Sequence, residues 1–192
     1  MKDLKWEILD STYLFKDTWF KVRKDTCRKP DGTIVSPYYV YEFPTWVTVL
    51  AITRDQQVVM VKQYRHAIGE VSIEIPGGCV DDTDENLEHA ISRELKEETG
   101  YSFEKYYYLG KTSPNPSTNS NWMHMFLATG GEKVSEQQLD EHEEIEVMLY
   151  SMEELKQLIR EHKIIQAMHV TCIHYALEKL EELSVKTPDF SN

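Results

Sequence analysis

The sequence predicts an α/β fold of the mixed, α+β kind, in which helices sandwich one mixed sheet. Three observations predict it. Short β-rich runs punctuated by turn signals fill most of the first half. One strongly amphipathic helix interrupts them near the middle. Helical spacing returns only at the end, so there is no regular strand–helix alternation. At 192 residues, 41% hydrophobic and 11% aromatic, the chain suits one packed domain with a small appended element.

The elements follow in order. TWFKVRKDTC, residues 18–27, alternates in character and runs into the Pro30-Asp31-Gly32 hairpin signal, with SPYYVYEF, residues 36–43, as its partner strand. WVTVLAI and QVVMVKQY are two further strands joined by a turn at TRDQ, and VSIEIP is a strand ended by Pro76 and the Gly77-Gly78 pair. DDTDENLEHAISRELKEETG reads as a helix, because Leu87, Ala90, Ile91 and Leu95 make one apolar stripe. Asp82, Thr83 and Asp84 suit its N-cap, and Gly100 suits a left-handed C-cap. KYYYLG, the polar loop KTSPNPSTNSN, the strand WMHMFLA, an acidic loop EQQLDEHEEI and the strand IEVMLYS come next. SMEEL is a capping-box start for a short helix, and a longer helix follows. The division expected is an N-terminal β element over 1–44, the main domain over 45–184 and a frayed tail over 185–192.

Bulk properties exclude several classes of function. A formal net charge of −12 is a poor match to long nucleic acid or an anionic membrane, though divalent cations can bridge carboxylates to a small phosphate ligand. Cys27, Cys79 and Cys172 are too few and scattered for a disulfide framework or a thiolate metal site. Without a signal-peptide pattern or a membrane-length apolar run, the expectation is a cytoplasmic protein.

The acidic helix poses the central question. On a wheel of 100° per residue, Glu94 and Glu98 lie one turn apart and Glu97 falls on the same side, with Ile91 and Leu95 expected on the opposite, buried side. Like charges at this spacing repel. An ELKEE run alone is an ordinary solvated face. Three converging carboxylates also suit a hard divalent cation, Mg²⁺ or Mn²⁺, and Gly77 and Gly78 let backbone approach the same patch. Arg93 is placed to pair with one of the acids.

The run from Gly78 to Tyr101 resembles the Nudix hydrolase signature. Arg93, Glu94, Leu95, Glu97, Glu98, Gly100 and Tyr101 match at the family spacing, with Gly78 as its first glycine and Glu85 as its first acid. Six residues rather than five separate that pair, the extra one falling in the loop before the helix. The resemblance implies the Nudix fold, with Glu94, Glu97 and Glu98, and the Gly77 backbone, as metal ligands.

Beyond this box, over most of residues 15–180, the chain is similar to the ADP-ribose pyrophosphatase-like branch. VVMVKQYRH places Arg65 where that branch carries a phosphate-binding arginine, and IEIPGG places Glu74, Gly77 and Gly78 at its entry to the box. Pro116, with Pro114 as competitor, matches a loop proline. DEHEEIEV matches the branch's acidic loop, with Glu141 as the catalytic base and Glu143 or Glu144 as alternatives. Trp19, ahead of Tyr38 or Tyr39, is the aromatic that would stack on the base. Asn121 stands where the branch often has a glutamate, and the SPNPSTNSN loop is about two residues longer.

The resemblance therefore implies hydrolysis of a nucleoside diphosphate linked to another moiety, ADP-ribose first, giving AMP and ribose 5-phosphate. A nucleotide sugar such as GDP-mannose is the alternative substrate, and a non-catalytic nucleotide sensor the alternative class. Catalytic roles fall to Glu141, Glu97 and Arg93, substrate contacts to Arg65, Trp19, Glu74, Gly78 and Pro116. Branch members are commonly homodimers, so a homodimer is expected. The histidines, His169 among them, show no metal-ligand spacing and read as structural.

Overall fold

The computed structural model describes residues 3–185, which divide into two compact units. The first contains strands β1 (Glu7–Lys16), β2 (Lys21–Arg28) and β3 (Ile34–Glu42), an antiparallel sheet in the order β1-β2-β3. The Pro30-Asp31-Gly32 turn joins β2 to β3 as expected, with Gly32 at φ 86°. Strand β1 had no sequence signal. All ten of its residues are exposed, and register shifts at Ile8/Asp10 and Tyr13/Phe15 break the two-residue alternation that marks a half-buried strand. Buried Asp25 ties the sheet together, accepting from Ser11 Oγ at 2.6 Å and from Arg23 Nε at 3.1 Å.

Segment Ser113–Trp122 belongs to this first unit, so the boundary expected near residue 44 is crossed again by a later loop. Tyr38 Oη donates to the Ser117 carbonyl at 2.6 Å, Tyr41 N–H to Thr118 at 2.7 Å, and Asn121 Nδ2 to Pro44 at 3.1 Å. Trp19, expected on a strand, sits in the turn between β1 and β2 and is 66% exposed.

The second unit comprises Trp46–Thr112 and the chain from Met123 onward. Its strands are β4 (Trp46–Thr53), β5 (Val58–Arg65), β6 (Glu70–Glu74), β7 (Gly77–Cys79), β8 (Tyr101–Ser102), β9 (Lys105–Thr112), β10 (Met123–Lys133) and β11 (Ile145–Tyr150). They form a mixed sheet along β11-β5-β4-β10-β8, with β6 beside β5, β7 beside β4 and β9 beside β10. Only the β4–β10 pair among these named strands is parallel. Buried on both faces, β4 reads as a nearly continuous apolar run, broken inside only by Thr48.

Strand alternation sorts the core into two layers. Val47, Val49 and Ala51 pack with Ala90, Ile91 and Leu95 of helix α1 (Leu87–Thr99). Leu50 and Ile52 pack with Leu155 of α2 (Met152–Arg160) and with Cys172, Ile173 and Ala176 of α3 (Ala167–Val185). The sheet is thus covered by helices on both faces. Cys27 and Cys172 are buried, Cys79 is half-buried, and all are free thiols. Among the described residues no helix is long and apolar enough to cross a membrane. The tail expected from residue 185 lies, beyond Val185, outside the described residues.

Both helix signals at Ser151 and Gly100 are realised. Ser151 and Glu154 form the reciprocal capping box, and Gly100, at φ 76°, gives its N–H to the Lys96 carbonyl at 2.9 Å. The N-cap of α1 is Asn86, whose side chain accepts from His89 N–H, rather than Asp82, Thr83 or Asp84. A Cβ at Gly100 would collide with the Ser135 carbonyl oxygen, whereas one at Gly69, also left-handed at φ 68°, would meet open space. Denaturant unfolding should therefore give Gly69→Ala a loss of about 1 kcal/mol and Gly100→Ala a loss above about 2 kcal/mol. Equal losses would remove the close approach as the cause.

Candidate active site

The site is built on β5, β6, β7 and α1 of the second unit. Residues Gly77–Cys79 pair antiparallel with Trp46–Thr48, which brings a three-residue strand against the inner face of α1. There Gly77 N–H donates to Glu98 Oε2 at 3.0 Å. A Cβ at Gly78 would overlap the Glu94 carboxylate, so glycine is what allows this backbone to pass the acid.

The helix wheel is corrected at one point. Ile91 and Leu95 do not oppose Glu98. Seven residues span nearly two full turns and leave only about 20° between positions 91 and 98. Glu98 is accordingly buried, at 4% exposure, beside the apolar stripe, and Glu94 is mostly buried above it. Glu97 lies at the rim, with its side chain 39% exposed.

Arg93 fixes the outer edge of this set. Its Nε and Nη2 donate to Asp84 at 3.1 and 2.9 Å, Nη2 also to the Cys79 carbonyl at 3.0 Å, and Nη1 to Glu94 at 3.1 Å and Glu97 at 2.9 Å. All its N–H groups have partners inside the protein, so Arg93, expected among the catalytic residues, orients Glu94 and Glu97 instead. Asp84 rather than Glu85 is its acidic partner, while Glu85 is exposed. The extra loop residue therefore falls after the acid, not before it. Arg93's hydrogen bonds hold the Asp84 carboxyl down to about 2.

Arg65 and Glu74 form a second pair. Glu74 is 1% exposed and accepts from Arg65 Nε at 2.8 Å and Nη2 at 2.6 Å. Expected to touch substrate, Glu74 is instead sealed behind Arg65, whose own side chain is 46% exposed. Among the described residues, Arg65 Nη1 makes no hydrogen bond.

The acidic loop is stapled to the end of α1. Gln137 Nε2 donates to the carbonyls of Glu98 at 2.7 Å and Ile145 at 3.0 Å, and Gln138 N–H to Glu97 at 2.8 Å. Beyond these anchors Glu141, Glu143 and Glu144 are all exposed. Glu143 is the loop acid whose charge acts on Glu94, Glu98 and Arg65. Pro116 is exposed in a turn of the first unit, as Trp19 is in another.

Sequence reasoning missed Asp84, Gln137 and the buried His169 behind Glu74. Asp84 was detectable, since five residues separate it from Gly78. Gln137 and His169 carry no local signal.

The electrostatics mark the inner carboxylates. Burial pushes Glu94 up to about 7 against the pull of Arg93, with Glu97 and Glu143 adding to the rise. Burial, then the charge of Glu94, raises Glu98 well above the ordinary carboxylate range, and Gly77 N–H offsets only part of this. Among the described residues no three acidic, imidazole or thiol groups already converge as a ligand set, because Glu94 and Glu97 both turn to Arg93. The donors nonetheless fit a hard cation. Glu98 is a sealed carboxylate with a single backbone N–H to answer it, facing a second buried acid.

The NUDIX domain model matches residues 43–168, and the nucleoside diphosphate sugar hydrolase N-terminal domain model matches residues 6–41. The chain belongs to the Nudix family and is a Nudix hydrolase. It is 30% identical to a methanol dehydrogenase activator of Bacillus methanolicus over 84% of this chain and 87% of that protein. It is 29% identical to an ADP-ribose pyrophosphatase of Bacillus subtilis over 91% and 94%. A GDP-mannose pyrophosphatase of Yersinia pestis is 27% identical over 85% and 87%. The solved structure of an ADP compounds hydrolase shares the fold, with a TM-score of 0.81 at 22% identity over 95% of this chain and 98% of that one. Hydrolases of this family use divalent metal ions.

The raised acid gives stability a definite pH dependence. With the Glu94 pKa moved from 4.5 to about 7, the folded state binds more protons than the unfolded chain between those values. The stabilisation is full below about pH 4.5 and is lost as pH rises through about 7. In chelator, urea unfolding should give a stability about 2–3 kcal/mol lower at pH 8 than at pH 5 from this residue, and Glu94→Gln should flatten that part of the slope. A wild-type profile without this fall would mean that the acid is solvated.

Proposed function

We propose that the protein hydrolyses the diphosphate bond of a nucleoside diphosphate linked to another moiety, with ADP-ribose as first substrate and AMP and ribose 5-phosphate as products. The observation that carries this reading is a pair of acids withdrawn from water, the buried Glu98 against Gly77 N–H and the mostly buried Glu94 against Gly78, with Arg65 near enough for its charge to act on Glu98. GDP-mannose is the second candidate, favoured by the Yersinia relative.

Each residue has a role in this scheme. A divalent cation, Mg²⁺ or Mn²⁺, held by Glu94, Glu97, Glu98 and the Gly77 backbone, would supply Lewis-acid neutralisation of the diphosphate. Arg65 Nη1 donates to a phosphoryl oxygen of the bound substrate and keeps that bond through the reaction, so it contributes to binding of substrate and transition state alike. Glu143, exposed like Glu141 but the one whose charge reaches Glu94, Glu98 and Arg65, takes the proton of the attacking water as general base. Water adds to phosphorus, the bridging P–O bond breaks, and the departing phosphate carries away the electron pair.

We infer further that the protein works in the cytoplasm as a homodimer joined through the first unit. Trp6, Ile8, Leu14, Phe15 and Ile34 are all at least 40% exposed there, an apolar surface that a second copy would cover.

Hydrolysis of ADP-ribose, other ADP-linked compounds and GDP-mannose, followed by phosphate release after phosphatase treatment, should require Mg²⁺ or Mn²⁺ and favour ADP-ribose. Glu98→Gln should fold normally and lose at least about 10³-fold in kcat, Glu143→Gln about 10²-fold or more, and Glu141→Gln little. Full activity in Glu98→Gln would contradict the scheme. Light scattering should give twice the chain mass, and Phe15→Glu with Leu14→Glu should return the monomer.

A further inference from the structure

We propose that His169, on α3, is a positioning residue for Arg65 that acts through Glu74. This rests on the diphosphatase reading, which gives Arg65 its role. Two arginines serve this site, and they are held differently. Arg93 is enclosed by acceptors on every side. Arg65 is tethered by one carboxylate, through Nε and Nη2, which leaves Nη1 free to meet a ligand. Its direction is therefore set by the plane of the Glu74 carboxylate.

That carboxylate is 1% exposed and needs support from behind. Among the groups around it, beside the buried Ser72, is the His169 ring, 5% exposed, with Nδ1 at 3.7 Å from Glu74 Oε2. Among the described residues, Nδ1 has no hydrogen-bond partner. At 3.7 Å the contact is longer than a hydrogen bond, and it sets a polar group against the back of the Glu74 carboxylate. Burial keeps the imidazole neutral, so it serves as an N–H donor in its Nδ1–H tautomer and not as a competing cation. The neutral donor limits how far Glu74 can rotate without drawing it away from Arg65. Arg65 Nη1 is thereby held on its bearing by a residue from the opposite layer of the fold.

Substitutions that move the donor test this. The Asn side-chain nitrogen overlays Nδ1 of histidine, and that of Gln overlays Nε2. His169→Asn should stay within about twofold of wild type. His169→Gln and His169→Leu should raise KM for ADP-ribose roughly tenfold with kcat held within about threefold. In an Arg65→Ala background the same His169 changes should add nothing. Equal effects of Asn and Gln, or an effect that persists without Arg65, would overturn the proposal and leave His169 a packing residue. Should His169→Leu fail to fold, the Asn and Gln pair decides. If the wild type hydrolyses nothing on the substrate panel, the diphosphatase reading falls. Calorimetric binding of ADP-ribose then decides for His169 on the same order of variants, and no binding by wild type overturns both.

Discussion

The molecule is organised around two carboxylates that the fold keeps out of water. Glu94 and Glu98 lie one helical turn apart on α1, the second of them level with the apolar stripe that packs on β4. Removing an ionised acid from solvent is expensive, and the charge of Glu94 makes ionising Glu98 costlier still. Most of the local architecture answers that cost. Strand β7 brings a backbone N–H to Glu98, the absence of a side chain at Gly78 leaves room for Glu94, and Arg93 braces the outer edge. What remains uncompensated is a local excess of acidic groups in a poorly hydrated site, which suits the divalent cation that hydrolases of this family use.

The two arginines divide the remaining work. Arg93 is saturated with acceptors and rigid, so it belongs to the scaffold even though it is part of the family signature. Arg65 is only half satisfied and half exposed, which leaves a donor available. A guanidinium with every N–H bonded inside the protein cannot stabilise charge developing on a substrate, whatever its position in a motif. Counting donors thus separates the arginine that shapes the site from the one that faces the ligand.

The legibility of the sequence follows the same physics. Strands β4 and β5 and the two core layers were readable because burial imposes period and apolarity on them, and the caps at Gly100 and Ser151 because local backbone chemistry demands those residues. Strand β1 was not, because with every residue exposed and its register shifted twice it carries no period. The box positions were visible as a pattern, yet their burial was not: seven residues is so near two turns that Glu98 falls in with Ile91. Asp84, separated from Gly78 by five residues, is legible by spacing once the extra residue is placed after the acid instead of before it. Nothing local could reveal His169, whose relevance depends on α3 lying across the sheet from a residue ninety-five positions earlier.

The first unit is not continuous in sequence. Tyr38 on β3 bonds to Ser117, 79 residues further along. At 5–20 residues per second a ribosome takes about 4–16 s to add that length. During that interval the N-terminal sheet has emerged without the segment that completes it, and its many uncovered aromatic and aliphatic side chains are open to chaperones. Maturation of the amino-terminal sheet is therefore tied to translation of the middle of the chain, and the first strands made are among the last to be finished.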